Sequence, residues 1–489
     1  MSYLKNYLTK TKKEEKSAIA FLASIDHISE TSKEIADAII QELKDQRSYL
    51  KLIASENFSS LAVQLAMGNL LTDKYSEGVP KKRFYAGCDN VDKIETMAVE
   101  ELKDIFSCHH AYVQPHSGAD ANLVAYWAIL VHKLQDKKIL SFGKKKLEEL
   151  TEEEYEEVRQ ILINQKILGM SLSSGGHLTH GYRHNISSKM MRSYSYASDP
   201  NTGLIDYKKI REQAKKEKPL IIVGGYSSYP RLVNFRKLKE IADEAGSVLM
   251  VDMAHFAGLV AGKAIKGEYN PVGYADVITS TTHKTMRGPR GGFILCTEEF
   301  KEVIDKGCPL VLGGPMPHVM AAKALAFKEA NTKDFCNYAE SIIENSKALA
   351  EEFLKLGVEL ITGGTDNHMM VIDVDKSFGI NGRQAESVLR KAHITVNRNS
   401  IPKDKNGPWY TSGIRVGTPA ITTLGMKKDE MKEIAKVIYD VLSSSEPVYE
   451  GGKIVKKEVQ IEEDVLSRSK YIIKNLLGKF LLYPELIID

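Results

Sequence analysis

The sequence predicts an α/β protein in two parts, a large domain built on a mostly parallel sheet and a smaller α+β domain after it. Three observations predict it. Between about residues 90 and 310, apolar strand-like runs (AYVQP, PLIIVGGYS, SVLMVDMAH, DVITSTTH, GGFILC) alternate with helical stretches such as NFRKLKEIADEAG. Such alternation argues parallel strands covered by helices on both faces. After about residue 310 the pattern changes to longer helices (HVMAAKALAFKEANT, AESIIENSKALAEEFLKLG) with few strands, HMMVIDV the clearest. Finally, 489 residues at 43% hydrophobic and 27% charged can bury a sizeable core.

Taken in order, residues 1–60 form an N-terminal helical arm, with apolar positions at helical spacing in ISETSKEIADAIIQELKDQRSYL. Residues 61–315 make the large domain, interrupted at 132–166 by a charged, helix-favouring insert containing KKKLEELTEEEYEEVRQIL. Residues 316–442 make the small domain. Residues 443–489 are an extension that opens on the linker-like SSSEPVYEGGK and ends in a helical segment.

The charge balance excludes several classes. Sixty-seven basic and 64 acidic residues leave a net charge of +3, so no strong field attracts nucleic acid or an anionic membrane. Five scattered cysteines without a CxxC pair read as reduced thiols in a cytoplasmic protein. SAIAFLASI is too short and too closely flanked by acids for a signal peptide, and no apolar run is long enough to span a membrane.

The chemistry concentrates at STTHKTMRGPRGGF, residues 280–293, where Lys284 follows an apolar strand. A lysine at an exposed turn is the ordinary reading. Buried, its pKa falls toward the neutral amine that attacks a carbonyl, chemistry suited to a Schiff base. Asp252 ends the strand before it, with His255 one turn on, and ligands gather at the carboxyl ends of strands in open α/β sheets. Asp252 is a helix cap, a metal ligand, or the carboxylate that keeps a pyridine nitrogen protonated. Ser117 and Gly118 precede a strong helix and suit either a plain cap or a phosphate. In SSGGHLTHG two glycines give a ligand room, and His177 and His180 read as a zinc pair or as a ring stacked on a cofactor; no third ligand stands at zinc spacing, so no metal is expected.

Nine segments then carry a resemblance: LIASENF, LTDKYSEGVPKKRFYAGCDNVD, VQPHSGADAN, SGGHLTHG, VDMAHFAGLVA, TTHKTMRGPRGG, GGTDNHMMVID, ITVNRNS and TSGIRVGTPA. In this order, over most of residues 50–440, they resemble the serine hydroxymethyltransferases. That resemblance implies the pyridoxal-phosphate (PLP) transferase fold of type I, aspartate-aminotransferase-like, with a seven-stranded sheet. It implies a PLP aldimine on Lys284, and transfer of the serine hydroxymethyl carbon to tetrahydrofolate, giving glycine and 5,10-methylenetetrahydrofolate. By the same resemblance His283 lies near the phosphate, Asp252 pairs with the pyridinium, His255 contacts the ring oxygen and His177 stacks on the ring. Ser117, Gly118 and Ser227 hold phosphate and ring, and Arg415 clamps the substrate carboxylate. Ser55, Tyr75, Glu77 and Tyr85 surround the serine side chain, Tyr75, Glu77 and Tyr85 arriving from the neighbouring subunit of a homodimer or of a tetramer built from it. Glu77 is the expected proton-transfer group, though alone it reads as a surface carboxylate. Leu172, Gly176, His177, Leu178 and Asn399 contact folate.

The chain departs from the family pattern at Ala119, where a serine is common, and at Leu310 and Val311, where a Gly-Gly pair lends phosphate contacts across the dimer. Gly407 and Trp409 replace a common serine and phenylalanine beside folate. Two other readings compete: a folate-independent aldolase or racemase of the same fold, and a non-catalytic binding protein.

Overall fold

The structure, a computed structural model, describes residues 2–488. The polar N-terminal segment forms three helices, α1 (Tyr3–Lys10), α2 (Lys16–Thr31) and α3 (Lys33–Ser48). The Ser2 and Ser32 hydroxyls cap α1 and α3 by accepting from the amides of Lys5 and Ile35. Apolar residues at helical spacing, Leu22 and Ile25 on α2 and Ile40 and Leu43 on α3, share a core with the C-terminal Leu482, Leu486 and Ile488.

In the large domain α4 (Asp89–Phe106) leads to strand β1 (His110–Tyr112) and then α5 (Gly118–Leu130). The insert prolongs α5 through a π turn at Val131–Gln135 and ends in the helix Glu152–Ile163, whose Thr151 and Glu154 cap reciprocally. Six more strands follow: β2 (Lys166–Met170), β3 (Arg192–Tyr196), β4 (Ile221–Gly225), β5 (Val248–Asp252), β6 (Val277–Thr281) and β7 (Gly292–Cys296). They form one seven-stranded sheet in the order β1-β7-β6-β5-β4-β2-β3. Every pairing is parallel except the two made by β7. The two-residue repeat of a strand sorts its side chains between two cores: Leu249 and Val251 join Leu168, Ile222 and Ile278 on one face, and Val248 and Met250 join Ile221, Val223 and Val277 on the other.

Two helices, α6 (Pro317–Ala330) and α7 (Lys333–Lys355), lead on to the small sheet. α6 falls after residue 315, yet its Met320, Ala324 and Phe327 sit in the large-domain core. α7 carries Phe335, Tyr338 and Ile342 into that core and Leu349, Ala350 and Phe353 into the small-domain core, so the change of core falls within one helix. Three antiparallel strands, β8 (Met369–Asp373), β9 (Asn397–Asn399) and β10 (Gly413–Gly417), pair in the order β8-β10-β9. The segment after the arm is held to the small domain where Leu50 and Lys51 pair in parallel with Ile394 and Thr395.

The C-terminal extension is a hairpin (Ser445–Glu450, Lys453–Ile461) followed by α8 (Glu463–Lys479), which buries Leu466, Ile473 and Leu476 in the small-domain core. The tail beyond then returns to the arm. Arg47 donates to the carbonyls of Leu482 (2.9 Å), Tyr483 (2.6 Å) and Leu486 (3.0 Å), and the Tyr483 hydroxyl donates to the Ser59 carbonyl at 2.6 Å. The tail therefore braces the segment that carries Ser55. Replacing Arg47 with Met removes three hydrogen bonds from a charged donor and should destabilise this docking by about 1.5–3 kcal/mol. Limited proteolysis read by mass spectrometry should show faster cleavage beyond Phe480; an unchanged digest would count against the brace.

Candidate active site

The catalytic edge of the sheet follows from its topology. Parallel β4, β5 and β6 end together, and the loops that leave them converge there. β5 delivers Asp252 at its last position, β6 ends at Thr281 just before His283 and Lys284, and the turn after β4 carries Ser227. A cavity of about 550 Å³ opens at this edge. Its walls include Ser117, Gly118 and Ala119 from the start of α5, His177 from the loop after β2, and Asp252, His255, His283 and Lys284. Ser55, from the segment after the arm, and Arg415, from β10 of the small sheet, complete the wall with Ser227.

Burial pushes the Asp252 carboxyl up, but the hydrogen bond from His180 and the electrostatic influence of the neighbouring basic side chains His180, His177 and Lys284 outweigh it and hold the group well below the usual carboxylate range. Oδ2 accepts from Asn122 Nδ2 at 2.9 Å and meets His180 Nε2 at 3.0 Å, while Oδ1 accepts from the Ala254 amide at 3.0 Å. Burial lowers His177 to about 4 and His283 to about 3, and drives His255 well down, so all three rings are neutral near pH 7. Lys284 falls to about 8, chiefly by burial, with Arg415 and Arg290 opposing its charge and Asp252 supporting it. Burial lowers Arg415 to about 10, which leaves it charged near pH 7.

Several groups of this cavity lack partners among the described residues, and their chemistry fits PLP. The amides of Gly118 and Ala119 open α5 without acceptors, and His283 Nδ1 is buried without a partner, a donor set suited to a phosphate. Gly118 is required there, because a Cβ would stand 2.5 Å from Thr281 Cγ2. Asp252 is an ionised acceptor suited to a protonated ring nitrogen. Arg415, though buried, has only neutral partners: Asn397 Oδ1 at 3.1 Å, the Ser227 carbonyl, and Ser55 Oγ at 3.5 Å. Its charge is available to a carboxylate.

Other expected residues lie elsewhere. Tyr75, Glu77 and Tyr85 do not line this cavity. Tyr75 and Tyr85 are exposed with rings 5.0 Å apart, and the Tyr85 hydroxyl donates to Glu77 Oε2 at 3.3 Å. Leu172 lines a second cavity of about 980 Å³ that shares His177 with the first. Leu178 is exposed, and Asn399 borders a crevice with Ser173 and Ser400. At Gly176 the protein's own backbone passes close by: a Cβ there would stand 2.0 Å from the Met170 carbonyl oxygen. Its carbonyl accepts from Ser227 Oγ at 3.1 Å.

Sequence reasoning missed Asn122, which bonds Asp252, and Arg290, which lines the cavity. Asn122 lies one helical turn after Gly118, and that spacing was its signal. His180 turns out to bond Asp252, and spacing along the chain did not reveal that His177, His180 and Asp252 offer ligand atoms within 4.8 Å of one another.

Comparison with known proteins gives a consistent result. Residues 28–152 and 153–438 match the family model "Serine hydroxymethyltransferase". The chain is 55% identical over 469 residues to the serine hydroxymethyltransferase of Treponema pallidum, covering 96% of this chain and 82% of that one. It is 52% identical over 473 residues to the Cutibacterium acnes protein of that name, covering 96% of each, and 51% identical over 490 residues to that of Chlamydia trachomatis serovar D, covering 100% and 98%. A nearly full-length match of this kind, joined to a seven-stranded sheet whose cavity suits PLP, means that the chain belongs to the serine hydroxymethyltransferase family of PLP-dependent fold type I enzymes.

Proposed function

We propose that the protein transfers the hydroxymethyl carbon of serine to tetrahydrofolate, releasing glycine, 5,10-methylenetetrahydrofolate and water, and runs the reaction in reverse. The observation that carries this reading is one cavity holding a lysine lowered to about 8, an ionised carboxylate and a buried guanidinium with no acid partner. Ser117, Gly118, Ser227 and His283 would hold the PLP phosphate, Asp252 the ring nitrogen, His255 the ring oxygen and His177 the ring face. When bound, the cofactor supplies an electron sink for the pair left on Cα as its bond to the hydroxymethyl carbon breaks.

The protein's own residues do the rest. Lys284 would hold the cofactor through its side-chain amine, and capturing it is a nucleophilic role that needs the neutral form. Arg415 fixes the serine carboxylate bidentately, with Ser55 beside it, and so orients the Cα bond to be broken. Asp252 stays negative and would keep the cofactor's ring nitrogen protonated. Glu77 moves protons at the substrate hydroxyl. We assign it, with Tyr75 and Tyr85, to the cavity of a second copy in a homodimer; exposed Tyr75, Phe84, Tyr85 and Leu310 supply apolar surface for that contact. The second cavity, with Leu172 and the nearby Gly176, Leu178 and Asn399, would take folate beside His177. No helix of the described residues is long and apolar enough to cross a membrane, and their five cysteines are all unpaired, which supports a cytoplasmic setting.

Glycine formation from serine, followed with and without tetrahydrofolate, tests the reading. Turnover should require folate; folate-independent cleavage or racemisation would favour the aldolase or racemase, and no turnover the binding protein. Arg415→Ala should raise the KM for serine ~30-fold or more while PLP stays bound, because one side of a buried charge pair is lost; an unchanged KM would remove Arg415 from the substrate site. Because Lys284 must be neutral to react, the rate of PLP capture by apoprotein should climb through about pH 8 and level off above it. A rate still climbing at pH 10 would place the lysine in an ordinary solvated setting.

A further inference from the structure

Lys323, on α6, is a buried cation that the reaction above does not use. Its ammonium group donates to three backbone carbonyls: Val113 at 2.6 Å, Pro115 at 2.9 Å and Gly292 at 2.8 Å. Burial lowers its amine to about 7, but three acceptors call for three N–H donors, which only the charged form has. No carboxylate forms an ion pair with it among the described residues, so its direct partners are peptide dipoles, with Glu95 favouring the ammonium from further off.

The three carbonyls are not scattered. Val113 and Pro115 belong to the loop from β1 to α5, which ends at the Ser117–Ala119 turn, and Gly292 opens β7. The Gly292 amide donates to the Pro115 carbonyl at 3.0 Å, and a Cβ on Gly292 would stand 2.3 Å from the Ser117 carbonyl oxygen. Lys323 therefore ties together, from behind, the segments whose front presents the unpartnered Gly118 and Ala119 amides. Their aim is fixed by the carbonyls of the same loop.

We infer that Lys323 is a positioning residue for the cofactor phosphate: by gathering the Val113, Pro115 and Gly292 carbonyls it sets the backbone amides of the Ser117–Ala119 turn for an anion. The inference rests on the PLP reading of the cavity. Full-length apoprotein carrying Lys323→Met or Lys323→Gln tests it by equilibrium titration with two ligands, PLP and pyridoxal, which lacks the phosphate. Lys323→Met should weaken PLP ~30-fold, equivalent to about 2 kcal/mol, while pyridoxal changes less than ~3-fold, a difference of under about 0.7 kcal/mol. Lys323→Gln, with two N–H donors, should fall between and carries the comparison should the Met variant not fold by circular dichroism. Equal losses for both ligands would make Lys323 a general structural residue, and unchanged PLP affinity would dismiss it; either overturns the inference. Wild-type protein that binds neither ligand would overturn the cofactor reading itself, a result separable from losses confined to the variants.

Discussion

The buried negative charge of Asp252 is the constraint around which the site is built. A carboxylate removed from water takes up a proton unless donors hold it ionised. Asn122, His180 and the Ala254 amide are those donors, and they come from three different elements. Their convergence ties the start of α5, the loop after β2 and the end of β5 into one rigid floor. The neutral rings of His177, His255 and His283 follow from the same dryness, which leaves Lys284 with few charges to oppose and one to favour it.

Around that floor the chain brings its parts together from a distance. The large sheet gives Lys284 and Asp252, the small sheet gives Arg415, and the segment after the arm gives Ser55. None of the three could build the cavity alone. The arm and the C-terminal tail hold the Ser55 segment from outside, through Arg47 and Tyr483. Peripheral elements thereby contribute to the geometry of a site they do not touch.

Much of this was legible in the residues. Apolar runs ending in Asp252 and preceding Lys284 showed both the strands and the ends that open on the cavity, because buried parallel strands are apolar and ligands meet their carboxyl ends. β2 and β3 were harder to see: KILGM directly follows the charged insert, and RSYSY at the sheet edge is too polar to read as core. Lys323 lay inside HVMAAKALAFKEANT, where a lone lysine in an apolar helix gives no hint that its partners are backbone carbonyls. Asn122 and His180 were visible as residues but not as partners of Asp252, since pairing across more than 70 positions leaves no local pattern. The placing of Tyr75, Glu77 and Tyr85 came from resemblance alone, and within one chain they lie outside the cavity, the two tyrosines exposed and Glu77 half-buried.

α7 gives the cleft its mechanical character. One unbroken helix of 23 residues is anchored in both cores, and where it crosses between them the small domain grips it directly. Thr418 Oγ1 donates to the Ile342 carbonyl at 3.0 Å, and Asn345 donates to Thr422 Oγ1 and the Met426 carbonyl, each at 2.9 Å. The two domains are jaws riveted to a common beam, with no slack segment in α7 to act as a hinge. A single helix thereby spans the core beside the Lys284 loop and the core beneath the strand that carries Arg415.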